Sequence, residues 1–140
     1  MSNDYDIAVI GAGVVGSAIA RAFAGTKYSV ALVDSREDVV EGTSKANTAL
    51  LHTGYDASPG TLEAQLVARG YHLTREYCAE AGVGVDTTGA ILVAWDDEQA
   101  ESLPSLKEKA EKNGYTETYI ISPEEVYEQI PDLGPGATGG

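Results

Sequence analysis

An apolar run, Ile7 to Ile10, leads directly into a Gly-x-Gly-x-x-Gly turn at Gly11, Gly13 and Gly16, and a small-residue stretch, Ser17 to Ala24, comes next. Few folds accept that order. In a dinucleotide-binding βαβ unit each glycine has a mechanical role. Gly11 turns the chain off the strand, Gly13 lets backbone approach a pyrophosphate, and Gly16 lets the helix lie close to the sheet. Free N–H groups at the helix start, together with the helix dipole, attract the diphosphate. Such glycine spacing alone is weak evidence, but here strand precedes it and helix succeeds it. A second apolar run, Ser29 to Val33, then ends in Asp34. That acid stands about 20 residues beyond the turn, where this unit places a carboxylate for a ribose hydroxyl.

Nine Lys and Arg against 22 Asp and Glu give a net charge of −13. This balance argues against non-specific binding to nucleic acid or anionic membranes. It also means that an anionic cofactor has to be held by local dipoles against the overall field. The single cysteine, Cys78, cannot form an internal disulfide, which suits a cytoplasmic setting. The opening residues Met1 to Asp6 are acidic and lead into a strand, so a secretory signal is not expected. No apolar run approaches about 20 residues, so no integral membrane segment is expected, and peripheral membrane association and oligomeric state stay open.

An open nucleotide-binding sheet needs more strands than this chain supplies, and nothing after Asp34 reads as a second full βαβ pair. The expected fold class is therefore α/β: a Rossmann-like βαβ unit with part of a mixed α+β substrate-side domain. The sequence divides into residues 1–82 as the nucleotide-binding portion and 83–140 as the start of an incomplete substrate-side portion.

Past Asp34, the polar connector Ser35-Arg-Glu-Asp38 carries Arg36, which can reach an adenine or phosphate or serve as a solvated loop charge. The acid at 34 repels a 2′-phosphate, which favours a free ribose. Ser44 can cap a short helix starting at Lys45. A long helix is expected from Ser58-Pro59 to Gly82, with Leu62, Leu66, Leu73 and Tyr77 at helical spacing and Gly70 as a kink or close contact. Residues 83–89 and 90–95 read as two strands around a turn. Asp96, with Gln99, caps a helix that Asn113-Gly114 stops; residues 118–121 read as a short strand; Ser122-Pro-Glu-Glu125 forms a capping box ahead of a helix ending at Pro131.

Chemistry-bearing residues are few. His52 comes after an apolar run, and catalysis or cofactor contact competes there with a satisfied, partly buried histidine. His72, within a helix, reads as a surface residue. One cysteine and two histidines without short spacing make no metal site. No Gly-x-Ser-x-Gly elbow or Cys/His pair suggests nucleophilic catalysis. Trp95, the tyrosines at 71, 77, 115, 119 and 127, and Cys78 read as packing residues.

Taken together, the glycine turn, the Val33-Asp34 strand end and Gly42-Thr-Ser-Lys-Ala-Asn-Thr-Ala-Leu-Leu-His-Thr-Gly54 resemble the FAD-dependent oxidoreductases of the D-amino-acid oxidase superfamily. Within that superfamily, His52-x-Gly54-Tyr55 and Pro59-Gly60-Thr-Leu-Glu-Ala64 look most like the branch of L-2-hydroxyglutarate and glycerol-3-phosphate dehydrogenases. The resemblance covers the N-terminal third or so of such an enzyme. It implies an FAD enzyme that oxidises a small hydroxy acid, polyol phosphate or amino acid by hydride transfer to flavin. By resemblance Gly11, Gly13, Val14, Val15 and Gly16 hold the pyrophosphate, and Asp34, flanked by Ser35 and Arg36, takes the ribose. Thr43, Ser44, Asn47, Thr48 and Ala49 line the path to the flavin, Leu50 and Leu51 lie near the ring, and His52 stands beside it as the catalytic candidate. The family usually has Glu at the position of Asp34. An NAD-dependent dehydrogenase is the rival that shares the opening unit, and a non-catalytic nucleotide-binding module is the rival of a different kind.

Overall fold

The computed structural model describes residues 4–140. Its elements run β1 (Ile7–Ile10), α1 (Val14–Ala24), β2 (Val30–Val33), a 3-10 turn (Thr43–Ala46), α2 (Leu62–Ala81), α3 (Asp97–Lys112) and α4 (Pro123–Gln129). Two compact units result, one reaching to Leu50 and the other spanning Leu51–Gly140. Residues 51–82, grouped by sequence with the nucleotide-binding portion, thus pack in the second unit.

The first unit is a βαβ hand. β1 and β2 pair in parallel, Ile7 opposite Val30 through Ile10 opposite Val33. A polar clasp starts the pair: the backbone N–H and hydroxyl of Ser29 both donate to Asp6 Oδ2 at 2.8 Å. The Gly11 N–H closes the far end on the Val33 carbonyl at 2.7 Å. α1 begins at Val14, inside the glycine turn and three residues ahead of the small-residue run that predicts it. Val9, Ala12 and Gly16 form the buried centre of the unit.

In the second unit, helix ends obey the sequence where the signal is local. Asp96 Oδ1 accepts from the Gln99 N–H at 2.8 Å, and Ser122 and Glu125 make a reciprocal capping box. Gly82 ends α2 in the left-handed conformation. The start of α2 differs from expectation. Thr61, not Ser58, caps it by accepting from the Ala64 N–H at 3.2 Å, and Pro59-Gly60 belongs to the preceding turn. Gly70 makes no close contact, since a Cβ there would meet open space.

The strands expected at 83–95 and 118–121 are not regular strands. A strand needs a partner, and the partner here is the glycine-rich end. The Ala94 N–H donates to the Gly139 carbonyl at 2.9 Å and the Thr138 N–H to the Ala94 carbonyl at 2.8 Å. On the other side, Ile121 and Gly140 exchange both bonds, at 2.8 and 3.1 Å. Among the described residues only these few pair, so the flanking apolar runs stay irregular. A Cβ on Gly140 would stand 3.0 to 3.2 Å from Val126, Ile91 and the Leu92 carbonyl, so the pairing depends on a bare backbone there.

Buried side chains in this unit are mostly small: Ala57, Ala64, Ala94 and Ala110, with Leu103, Ile121 and Val126. Leu62, Leu66, Leu73 and Tyr77, whose helical spacing reads as a packing face, are instead exposed along α2. Trp95 and Tyr119 are also exposed rather than packed, and Cys78 is half-buried. Because α4 is only seven residues long, its cap matters. Ser122→Ala is expected to cost about 1 kcal/mol, seen as a lower midpoint in urea with the slope unchanged.

Candidate functional site

The glycine turn is built so closely that its residue types are dictated. At Gly11, φ is +100°, a backbone state that side-chain-bearing residues avoid. A Cβ on Gly16 would lie 1.7 Å from the Gly11 carbonyl oxygen, so only hydrogen fits. Gly13 precedes α1 in an extended conformation, and a Cβ on it would reach within 3.1 Å of Ser44 Oγ. Across this gap the Val14 N–H donates to Ser44 Oγ at 3.0 Å. The N–H groups of Val15 and Gly16, in the first helical turn, have no carbonyl of their own helix to reach. The valine side chains point to solvent, 65 and 69% exposed, which leaves the backbone on the inner side approachable. A groove of about 300 Å³ opens here, lined by Gly11, Gly13, Val14, Val15, Gly16 and Ser44 among others.

Asp34 directly follows β2 and turns back onto the glycine turn. Its Oδ2 accepts from the Ala12 N–H at 2.7 Å and its Oδ1 from the Arg36 N–H at 3.0 Å. The Ala12 N–H foremost, then that of Arg36, holds the carboxyl below the usual carboxylate range; the Ser35 N–H and the Arg36 charge add to this. The Ala12 carbonyl accepts from the Val40 N–H at 2.9 Å, so Ala12, 3% exposed, is held on both sides. Val40 itself has φ +66°, a strained state for a β-branched residue. Arg36, open by sequence to ligand contact or to a loop role, binds the Glu41 carbonyl through Nη1 and closes its own loop. Ser35 is exposed beside Asp34.

The segment after Gly42 folds as a 3-10 turn, Thr43–Ala46, capped by no side chain. Ser44 is therefore not the local cap that its position suggests; its hydroxyl goes to α1, 30 residues back. Asn47 shapes the chain on either side of it: its Nδ2 donates to the Ser44 carbonyl, and its Oδ1 accepts from the Ala49 N–H at 2.7 Å. Ala49 has φ +55°. Thr43, Asn47, Thr48, Ala49 and Leu50 are all exposed. Leu51, half-buried, and His52 open the second unit. The His52 imidazole is exposed and among the described residues makes no hydrogen bond.

The structure thus brings Gly11, Gly13, Val14, Val15, Gly16, Asp34 and Ser44 into one constellation in the first unit. Two residues escape sequence reading. Val40 latches Ala12 through its backbone, which no side-chain pattern signals. Asn113, legible only as a helix stop, donates its side-chain amide to the turn after His52. Among the described residues, no three His, Cys, Asp or Glu side chains gather as a metal site requires, and no helix is long and apolar enough to cross a membrane.

The model of the family described as DAO, FAD dependent oxidoreductase, matches residues 6–140. The chain belongs to this family. Among the relatives of this DAO-family chain is the glycerol 3-phosphate dehydrogenase of Caloramator mitchellensis, 41% identical over 135 residues that make up 96% of this chain and 28% of the relative. The mitochondrial L-2-hydroxyglutarate dehydrogenase of Homo sapiens is 29% identical over 132 residues, 93% of this chain and 28% of that protein. A solved structure, dithionite-reduced L-α-glycerophosphate oxidase from Mycoplasma pneumoniae with FAD bound, superposes with a TM-score of 0.82 at 24% identity. It covers 99% of this chain and 37% of that one, and it establishes the shared fold. The DAO-family chain spans under a third of the length of the two curated relatives named. The family expected from the glycine turn and the 42–54 segment is the family found.

Proposed function

We propose that this chain carries the FAD-binding, N-terminal portion of an oxidoreductase that oxidises the CH–OH group of a small hydroxy acid or polyol phosphate by hydride transfer to flavin. The observation that carries this reading is the groove at the start of α1, where a backbone carbonyl enforces glycine at 16 and a Cβ at 13 would crowd Ser44 Oγ at 3.1 Å. It fits a pyrophosphate. The Val15 and Gly16 N–H groups donate to it, and Ser44 Oγ, which accepts from Val14, keeps its own proton to donate. The site answers the −13 charge of the chain with dipoles rather than cations. Each Asp34 oxygen has one backbone partner and retains a lone pair for a ribose hydroxyl. Thr43, Asn47, Thr48 and Ala49 line the path toward the ring and Leu50 and Leu51 flank it.

FAD, when bound, supplies the hydride acceptor. His52, exposed with both ring nitrogens uncommitted, is the residue to take the hydroxyl proton of the substrate. The names of the relatives support a polyol phosphate or 2-hydroxy acid over an amino acid. The acidic balance and lone cysteine fit a cytoplasmic setting and a small-molecule substrate, without nucleic acid.

The test is the visible spectrum of the purified protein in its longest native form, before and after acid precipitation, and then on anaerobic addition of glycerol 3-phosphate or L-2-hydroxyglutarate. Yellow colour that bleaches with either compound is the expected result. Colour left in the acid pellet identifies a covalent flavin and makes His52 the first residue to replace. A colourless protein that stays empty after incubation with FAD sinks the reading, and flavin that no substrate reduces leaves a nucleotide-binding module. Gly13→Val, which crowds Ser44 and the groove together, is expected to abolish FAD uptake while leaving the fold of the second unit intact.

A further inference from the structure

The geometry points to Asn113 as the positioning residue for the segment that carries His52. Asn113 Nδ2 donates to the carbonyls of Ala57 at 2.7 Å, Gly54 at 2.9 Å and Tyr55 at 3.3 Å. An amide has two hydrogens, so the two shorter bonds take them and the third carbonyl shares. The reverse amide orientation would set Oδ1 against three carbonyl oxygens, so the chemistry fixes which way the group faces.

Both ends of this grip are tied down by backbone hydrogen bonds. Asn113 sits at the end of α3, where the Tyr115 N–H returns to the Ala110 carbonyl at 3.0 Å and the Gly114 N–H to that of Glu111 at 2.9 Å. This double closure is a Schellman motif, and Ala110 beneath it is wholly buried. The gripped turn closes on itself through the Ala57 N–H and Gly54 carbonyl at 3.3 Å. Its opposite side rests on α2: a Cβ on Gly54 (φ +84°) would stand 3.2 Å from the Ala68 nitrogen. The turn 54–57 is thereby held between α2 and the end of α3, and His52 lies two residues before its first gripped carbonyl. Asn113 Oδ1 is buried with no partner. An imidazole on an exposed loop has no anchor of its own, and the amide supplies one from 56 residues away or more.

This inference rests on the role proposed for His52, and its test separates the two. Asn113→Ala and Asn113→Asp are compared with wild type by amide hydrogen exchange, which needs no flavin. The Ala57 N–H is expected to lose at least about tenfold protection in both variants, with helix α2 unchanged. Unchanged protection of Ala57 overturns the proposal. In the longest native form with FAD and substrate, kcat is expected to fall about 10- to 100-fold, with KM within about twofold. In a His52→Ala background, Asn113→Ala is expected to add nothing further. Additive effects of the two substitutions overturn it, because the clamp then acts on something other than His52. A wild type without turnover counts against the flavoenzyme reading, and the exchange experiment then decides the clamp by itself.

Discussion

Gly16→Ala is expected to destroy the βαβ unit, and FAD uptake with it. The added carbon falls 1.7 Å from the Gly11 carbonyl oxygen and 2.9 Å from its carbon, both backbone atoms that no rotamer change can move. Relief requires α1 to lift from β1, which breaks the contact of the helix with Val9 and opens the groove at the same time. Ordinary overpacking costs about 1–3 kcal/mol, and a clash of backbone against a Cβ lies at or beyond the top of that range. In a unit held by four residue pairs of sheet and one helix, that loss is a large share of what a small domain has. The check is a thermal melt with an FAD titration beside it. Gly25→Ala is the control: φ there is −91° and a Cβ meets open space, so stability and uptake should hold. Equal tolerance of both substitutions would refute the assigned turn.

Asp34→Ala is expected to weaken FAD binding by about tenfold or more, the scale of one charge-assisted hydrogen bond. The loss has two parts, since the carboxylate proposed for the ribose also accepts from the buried Ala12 N–H. Asp34→Asn separates them. Its one carbonyl oxygen can accept from Ala12 or from Arg36 but not from both, so it should fall between wild type and alanine. The pH dependence has a definite sign. The carboxyl is held below its usual range in the folded chain, so the folded state binds this proton less readily than the unfolded one. The contribution is complete above the unfolded value of about 3.9 and is lost as pH falls through the lower folded value. Binding measured from pH 7 down to pH 5 should therefore show no step from Asp34. A step in that window that disappears in Asp34→Asn would contradict the geometry.

Sequence carried the local grammar of this fold well. The cap at Asp96, the box at Ser122 and Glu125, and the left-handed stop at Gly82 depend on residues within one turn of each other. The βαβ unit was legible for a related reason, because Gly11 and Gly16 answer a dihedral and a clash set within the turn itself. Where two local solutions compete, pattern does not choose: Ser58 and Thr61 both precede α2, and only the chain's path makes Thr61 the cap. Features that depend on distant partners were hidden. The apolar runs at 83–95 and 118–121 promised strands, but among the described residues their backbone partners are Thr138, Gly139 and Gly140, and a glycine-rich end advertises no strand. In the site, Asp34 was placed by its spacing, whereas the Ser44 bond to Val14 crosses 30 residues and the Asn113 bonds cross more than 50. The stripe of Leu62, Leu66, Leu73 and Tyr77 has helical period, yet period records what a helix is able to bury and not what covers it.

The two-strand parallel sheet has a practical consequence. β1 and β2 pair only with each other among the described residues, so each presents an outer row of N–H and C=O groups. Ile10, 88% exposed, and Val33, 50% exposed, sit at the same end of these edges. Bare parallel edges beside exposed β-formers are templates for adding another chain. At neutral pH the charge of −13 keeps copies apart. Concentrated salt screens that repulsion within about 10 Å or less, and solution near the sequence isoelectric point of about 4.3 removes it. Samples of residues 1–140 by themselves should therefore stay clear at low ionic strength and pH 7, and turn to sheet-rich aggregate on acidification. The acid titration of Asp34 accordingly belongs at low protein concentration, where intermolecular strand pairing is too slow to compete.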